Sequence, residues 1–230
     1  MTTPEETERL AKIDAAEQSL AHVASGMVVG LGSGTTAAEM VRRLGARVRA
    51  GLSIRGLPTS AATEALARAE GIPLVTLADV RELDVAIDGA DEIDPRGRMI
   101  KGRGGAFLRE KLIARAARRL VILVDARKLV PRLGATAPVP VEVVPFALPV
   151  VEADVAKLGA RATLRRDASG APYLTDSQNL VLDCAFGPLA DPEALATRLD
   201  GVVGLVEHGL FVGFSPTVIL GDAERGARHP

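Results

Sequence analysis

Tryptophan is absent from this 230-residue chain, and one tyrosine with five phenylalanines is all the aromatic surface it has. That is too little for a base-stacking platform, so no nucleic-acid partner is expected. No charge of one sign dominates either, since 28 Lys and Arg face 29 Asp and Glu for a formal charge of −1. Without a basic field, nothing draws the chain onto a phosphate backbone or an anionic bilayer. A single cysteine, Cys184, excludes an internal disulfide framework and fits a reducing compartment. Apolar runs such as Leu120–Val124 fall far short of the roughly 20 residues that cross a bilayer. The opening stretch MTTPEETERLAKID is acidic where a secretory signal is basic and then apolar. A cytoplasmic location with no membrane partner is therefore expected.

What is present is ordinary globular material, 47% hydrophobic and 25% charged, with 23 Gly and 14 Pro. Disordered and fibrous classes are excluded by that composition, and the length allows one large domain or two modest ones. Leu10, Ile13, Ala16, Leu20 and Val23 recur at helical spacing and predict a helix over residues 5–24 that Gly26 ends. A strand (27–31), a glycine turn and a helix (35–44) follow. The unit recurs loosely as strand 52–57, helix 60–69, strands 74–76 and 85–88, helix 106–119 and strand 121–125. Such alternation predicts an α/β domain, a doubly wound and mainly parallel sheet covered by helices.

Five prolines between Pro131 and Pro149 mark a change of texture. Beyond it the order reads strand 139–144, helix 150–158, strands 161–165 and 179–184, helix 192–199 and strand 202–207, a ferredoxin-like α+β arrangement. Residues 218–220 form a last strand, assigned to the first sheet. The expected division is thus an α/β catalytic domain over 1–130 plus 208–230, with the small α+β domain of 131–207 inserted near the C-terminal end.

Three segments carry the chemistry. Gly30-Leu31-Gly32-Ser33-Gly34-Thr35-Thr36 joins a strand to a helix, where free N–H groups point at an anion. Phosphate is the natural guest. The spacing is not G-x-G-x-x-G, no acid lies between Glu39 and Glu64 to hold a ribose, and no Lys follows Gly34, so dinucleotide and Walker readings fail. The plain alternative is a tight turn whose glycines serve packing alone, which leaves the serine and two threonines without a purpose.

Asp88, Asp91, Glu92 and Asp94 crowd the end of a strand, at the edge where α/β sheets build sites, and their spacing does not suit an EF-hand. Asp88 and Asp91 are site candidates, whereas Glu92 and Asp94 read as members of a solvated loop. Lys101-Gly102-Arg103-Gly104-Gly105 opens a helix bearing Glu110 and Lys111. A proton-abstracting Glu110 needs a cation or N–H donors for the oxyanion it creates, and Lys101 supplies that charge. Lysines are otherwise scarce, at 12, 111, 128 and 157. His22, His208 and His229 show no metal-ligand spacing, Cys184 reads as a small core residue, and Ser33 has no nucleophile-elbow context.

Taken in order, GLGSGTTAAEM, DGADEID, KGRGGAFLREK, VDARKLV, PVPVEVVP, NLVLDC and GVVGLVEHGLF resemble the A-type ribose-5-phosphate isomerases over nearly the whole chain. The resemblance implies an aldose–ketose isomerase of the pentose phosphate pathway, interconverting ribose 5-phosphate and ribulose 5-phosphate through an enediol(ate). It implies no cofactor and no metal, and a homodimer or homotetramer. By matching motif, Glu110 is implied as the base that moves a proton between C1 and C2. Asp88 and Asp91 are implied as acids on the sugar hydroxyls, and Lys101 as the cation on the enediolate. Substrate contacts are implied at Lys12, Ser33, Gly34, Thr35, Thr36, Gly89, Ala90, Gly102, Arg103, Gly104 and Lys128. Arg103 departs from the glycine found there in many relatives; its side chain is expected to point outward while its N–H serves the site. A sugar-phosphate sensor is the competing class, but such proteins lose the catalytic base, which Glu110 retains here.

Overall fold

A computed structural model describes residues 3–228, so His229 lies outside the described residues. In chain order the elements are α1 (Pro4–Ser19), β1 (Val28–Leu31), α2 (Thr35–Arg49), β2 (Arg55–Pro58), α3 (Ala61–Ala69), β3 (Val85–Gly89), β4 (Glu92–Ile93), β5 (Met99–Ile100), α4 (Phe107–Ala116) and β6 (Leu120–Val124). Then come β7 (Val139–Val143), α5 (Leu148–Lys157), β8 (Arg161–Leu164), β9 (Leu180–Ala185), α6 (Pro192–Asp200), β10 (Leu205–His208), β11 (Leu210–Phe211), β12 (Thr217–Leu220) and α7 (Ala223–Gly226). Side-chain caps explain several helix starts. Thr3 accepts from the Glu6 N–H before α1, Ser60 from Thr63 before α3, and Asp191 from Ala194 before α6.

The chain forms two compact units. The first comprises the chain up to Gly89, Arg109–Lys128 and the chain from Ser215 on. Its sheet has five parallel strands in the order β12-β6-β3-β1-β2. β1 and β6 are buried at every position, because helices cover both faces and both side-chain sets must be apolar. Val29, Leu31, Val85, Ile87, Val121 and Leu123 meet Ala15, Ala16, Met40, Val41 and Leu44 of α1 and α2 on one face. On the other face Ile113 of α4 lies against Gly30. The chain winds outward in both directions from β1 and β3, so the crevice at their carboxyl ends is the topological switch point where this architecture places ligands.

The second unit comprises Ala90–Leu108 and Leu129–Phe214. Its main sheet is antiparallel in the order β10-β7-β9-β8, the strand order of a β-α-β-β-α-β ferredoxin-like fold. α5 and α6 cover it around Val141, Val143, Val151, Val155, Leu182, Cys184 and Leu199. A second small sheet, β11-β5-β4, belongs to the same unit.

Besides the two-residue strands β4, β5 and β11 and the short α7, which the sequence does not predict, two details differ from expectation. The strand expected at 74–76 is a single bridge from Leu74 to Gly56, in which the Gly56 N–H donates to the Pro73 carbonyl and only Val75 returns an N–H, to the Gly56 carbonyl. The compact units also divide elsewhere than expected, because residues 90–108 cluster with 129–214. β5 pairs with β11, and the Glu92 carboxylate takes N–H groups from Gly134, Thr136 and Ala137.

Candidate active site

In the first unit the switch point is built from three strand ends. β1 runs into the glycine turn, and Gly34, with φ of +89°, adopts a left-handed conformation that turns the chain into α2. α2 has no acid in its first turn, so its free N–H groups face outward with the positive end of a 15-residue helix behind them. Asp88, buried at the end of β3, accepts the Ser33 N–H at 3.0 Å and the Gly89 N–H at 2.7 Å through one oxygen. Gly32 makes this approach possible, since a Cβ there would lie 2.6 Å from the Asp88 Cα.

Sequence reasoning missed a set of hydroxyls around Ser33. Its Oγ lies 2.6 Å from Thr59 Oγ1 and 2.9 Å from Ser60 Oγ, and Thr63 Oγ1 donates to the Gly32 carbonyl at 2.9 Å. The signal was available in parallel topology: β2 neighbours β1, so the loop after β2 must open at the same edge.

Lys12 of α1 and Thr35 at the start of α2 line one surface cleft of about 360 Å³, together with Arg9 and Arg42. Lys12 pairs with Glu8 at 2.6 Å, and Glu8 also pairs with Arg127 at 2.8 Å. Those hydrogen bonds, from Arg127 first and Lys12 second, hold the Glu8 carboxyl at about 2. Lys128 does not join this cleft. It ends a short helical turn beside Asp125, whose carboxylate the neighbouring Arg127 takes at 3.0 Å. Glu110, on α4, is only 6% exposed, and Lys111 beside it is buried too, so neither is the solvated helix residue a lone Glu–Lys pair usually is.

The second unit carries Ala90, Asp91, Lys101 and the rest of the second glycine loop. Lys101 is 4% exposed, its N–H donates to the Gly209 carbonyl at 2.9 Å, and its ammonium lies 5.4 Å from the Phe211 ring centre. Asp91 accepts the Arg103 N–H at 2.9 Å. The Arg103 side chain is exposed, as the sequence leads one to expect, but its N–H is spent on Asp91. Arg165 and Tyr173, which the sequence reading does not single out, donate to the loop's carbonyls at Gly102 and Gly104.

Two of the four crowded acids depart from expectation. Glu92 and Asp94 are not solvated. Glu92 is fully buried and accepts from the N–H groups of Gly134, Thr136 and Ala137 and from the Thr136 hydroxyl. Asp94 is buried beneath Arg98, which it binds at 2.6 Å. Both carboxylates fasten loops, and their donors come from residues that local sequence does not bring near.

Cys184 lies in the core, where burial first and nearby Asp183 and Glu152 second push its thiol up to about 12. It is inert at neutral pH. Among the described residues, Asp200, Glu207 and His208 bring potential metal-ligand atoms within 4.8 Å of one another. His208 Nδ1 accepts the Leu210 N–H at 3.2 Å, so the neutral ring carries its proton on Nε2, 3.1 Å from Asp200. Both ring nitrogens thus already have partners within the chain.

The description "Ribose 5-phosphate isomerase A (phosphoriboisomerase A)" belongs to a family model that matches residues 55–225. A curated ribose-5-phosphate isomerase A from Roseiflexus sp. (strain RS-1) is 52% identical over 208 residues, 90% of this chain and 89% of that protein. Among solved structures, a D-ribose-5-phosphate isomerase in complex with phospho-erythronic acid superposes with a TM-score of 0.90 at 38% identity, covering 95% of this chain and 96% of that one. The ribose 5-phosphate isomerase A of Methanocaldococcus jannaschii also reaches 0.90, at 37% identity over 95% and 97% of the two chains. Glycine turn, strand-end aspartate and buried helix glutamate thus stand in a chain that belongs to the ribose-5-phosphate isomerase A family, isomerases that interconvert ribose 5-phosphate and ribulose 5-phosphate.

Proposed function

We propose that Glu110 is the general base of this isomerisation, removing the C2 proton of open-chain ribose 5-phosphate and returning it to C1. A hydrogen beside a carbonyl is far less acidic than a carboxyl group of pKa about 4.3, so the base works only if the enediolate is stabilised as it forms. Lys101 supplies that charge at the oxygen, while Asp88 and Asp91 hold the sugar hydroxyls and move the O1 and O2 protons. The Ser33–Thr36 turn, Lys12 and the free N–H groups of α2 take the phosphate, whose binding energy fixes the reacting carbons. Gly89, Ala90, Gly102, Arg103, Gly104 and Lys128 complete the proposed contacts. Neither metal nor cofactor enters the cycle.

The observation that carries this reading is the burial of Glu110 and Lys101 at 6% and 4% exposure, an expense a surface helix and loop would not otherwise sustain. The four-carbon phosphorylated acid bound by the solved relative supports the same reading, since a carboxylate beside a hydroxyl-bearing carbon imitates the charge of an enediolate. We further propose a cytoplasmic homodimer or homotetramer. Val144, Val150, Val203 and the 97%-exposed Phe146 form apolar surface of the kind that oligomers cover, and sedimentation at a single-chain mass overturns that proposal.

The direct test follows ribulose 5-phosphate formation from ribose 5-phosphate in EDTA, with Glu110→Gln beside the wild type. Metal-independent turnover that falls at least about 1,000-fold in a folded variant is expected. Near wild-type kcat in Glu110→Gln refutes the assignment of the base.

A further inference from the structure

We propose that Arg165 and Tyr173 are positioning residues for the isomerisation, a two-point clamp on the carbonyl side of residues 102–105 that presents Lys101 and the opposite side of the loop to the sugar. The proposal rests on the reading of Lys101 given above. Neither residue touches the reacting atoms in that scheme, and neither lies in a segment that suggested chemistry.

The guanidinium of Arg165 is used on two edges. Nε and Nη2 form a fork on Asp183 of β9 at 3.0 and 2.5 Å, which fixes the plane of the group. Nη1 then donates to the Gly102 carbonyl at 2.9 Å and to the Arg103 carbonyl at 3.1 Å. Tyr173 donates its hydroxyl to the next carbonyl, Gly104, at 3.0 Å, and its ring lies 5.8 Å from the Arg165 guanidinium carbon. Three successive carbonyls are therefore taken by two side chains. In a trans peptide the C=O and the following N–H point to opposite sides, so fixing the Arg103 carbonyl turns the Gly104 N–H away from Arg165. A Cβ at Gly104 would meet nothing within 4 Å, so no side chain packs against this residue's α-carbon there.

The backbone around Lys101 is held at both ends, by its own N–H on the Gly209 carbonyl and by Arg165 on the Gly102 carbonyl. Asp91 is tied in through the Arg103 N–H. The segment bearing Tyr173 is itself anchored, because buried Glu142 of β7 accepts from Thr175 Oγ1 at 2.8 Å and Asn179 Nδ2 at 2.9 Å. Lysine at position 165 keeps the charge but cannot form a fork and reach two carbonyls together.

The test uses Tyr173→Phe, which removes one oxygen from a half-buried ring, and Arg165→Lys, with Glu110→Gln as a separate control. Amide hydrogen exchange of Arg103 and Gly105 reads the clamp directly, and kcat and KM for ribose 5-phosphate read its consequence. Expected are faster exchange at these two amides, kcat lowered about 10-fold in Tyr173→Phe and about 100-fold in Arg165→Lys, KM changed less than about 2-fold, and an unchanged melting temperature. Unchanged exchange in both variants overturns the clamp. Faster exchange with unchanged kcat overturns its role in the reaction. Turnover surviving in Glu110→Gln instead removes the assignment of the base, and the exchange measurement still decides whether the clamp exists.

Discussion

The two glycine loops solve the same problem by opposite means. The turn at residues 30–36 is fixed by what lies next to it in the sheet: the Gly32 N–H bonds to Ile87, Ser33 to Asp88, and hydroxyls of the adjacent loop close over it. The loop at 102–105 instead has its carbonyls held by side chains 62 to 69 residues further along the chain, Arg165 and Tyr173. Strand-end geometry is generic to a parallel sheet and leaves a mark in local sequence. Fastening of carbonyls by side chains far along the chain is particular to one protein and leaves no mark in the local sequence.

Four variants test whether the two loops are held so differently. Gly32→Ala drives a methyl into the Asp88 backbone, which cannot yield, so a loss of about 3 kcal/mol or more in urea unfolding is expected. Gly105→Ala drives its methyl into the end of the Tyr173 ring, which can turn aside. A loss of about 2 kcal/mol is expected, part of it left as left-handed strain when Tyr173→Ala is combined with it. No recovery in that double variant would show the second loop to be as backbone-bound as the first.

Ser60→Ala removes the cap of α3 and a hydroxyl beside Ser33, which should lower stability by about 1 kcal/mol and weaken inorganic phosphate binding measured by calorimetry. The smallest effect concerns Glu8. Its carboxyl falls from 4.5 to about 2 on folding, so its pairing with Arg127 and Lys12 adds stability above pH 4.5 that is lost as pH drops toward 2. The urea midpoints of wild type and Glu8→Gln should therefore differ at pH 7 and converge through that window. A gap that persists at the acid end would mean Glu8 acts through packing.

The same contrast explains which parts of the molecule are legible in its sequence. Asp88 stands out as a candidate because it follows an apolar strand and Glu110 because a loop-and-helix motif carries it, whereas Lys12 comes from the resemblance alone. Thr59 and Ser60 are hidden inside what reads as an ordinary helix start, and their meeting with Ser33 depends on strand order. Glu92 and Asp94 read as solvated because acids in a loop usually are, and only the N–H groups of 134–137 and the guanidinium of Arg98 reverse that. β4, β5 and β11 have two residues each, too few for any periodicity to register. Their pairing, invisible locally, draws residues 90–108 into the second unit.

Tyr173 carries one more consequence. It is the single tyrosine of a chain without tryptophan, so the protein's near-ultraviolet emission, beyond the weak phenylalanine band, arises from the ring whose hydroxyl rests on the Gly104 carbonyl. The second glycine loop is thereby supplied with its own optical probe, and any change in that emission on adding a ligand reports on this one ring, with no label attached and no second fluorophore to subtract.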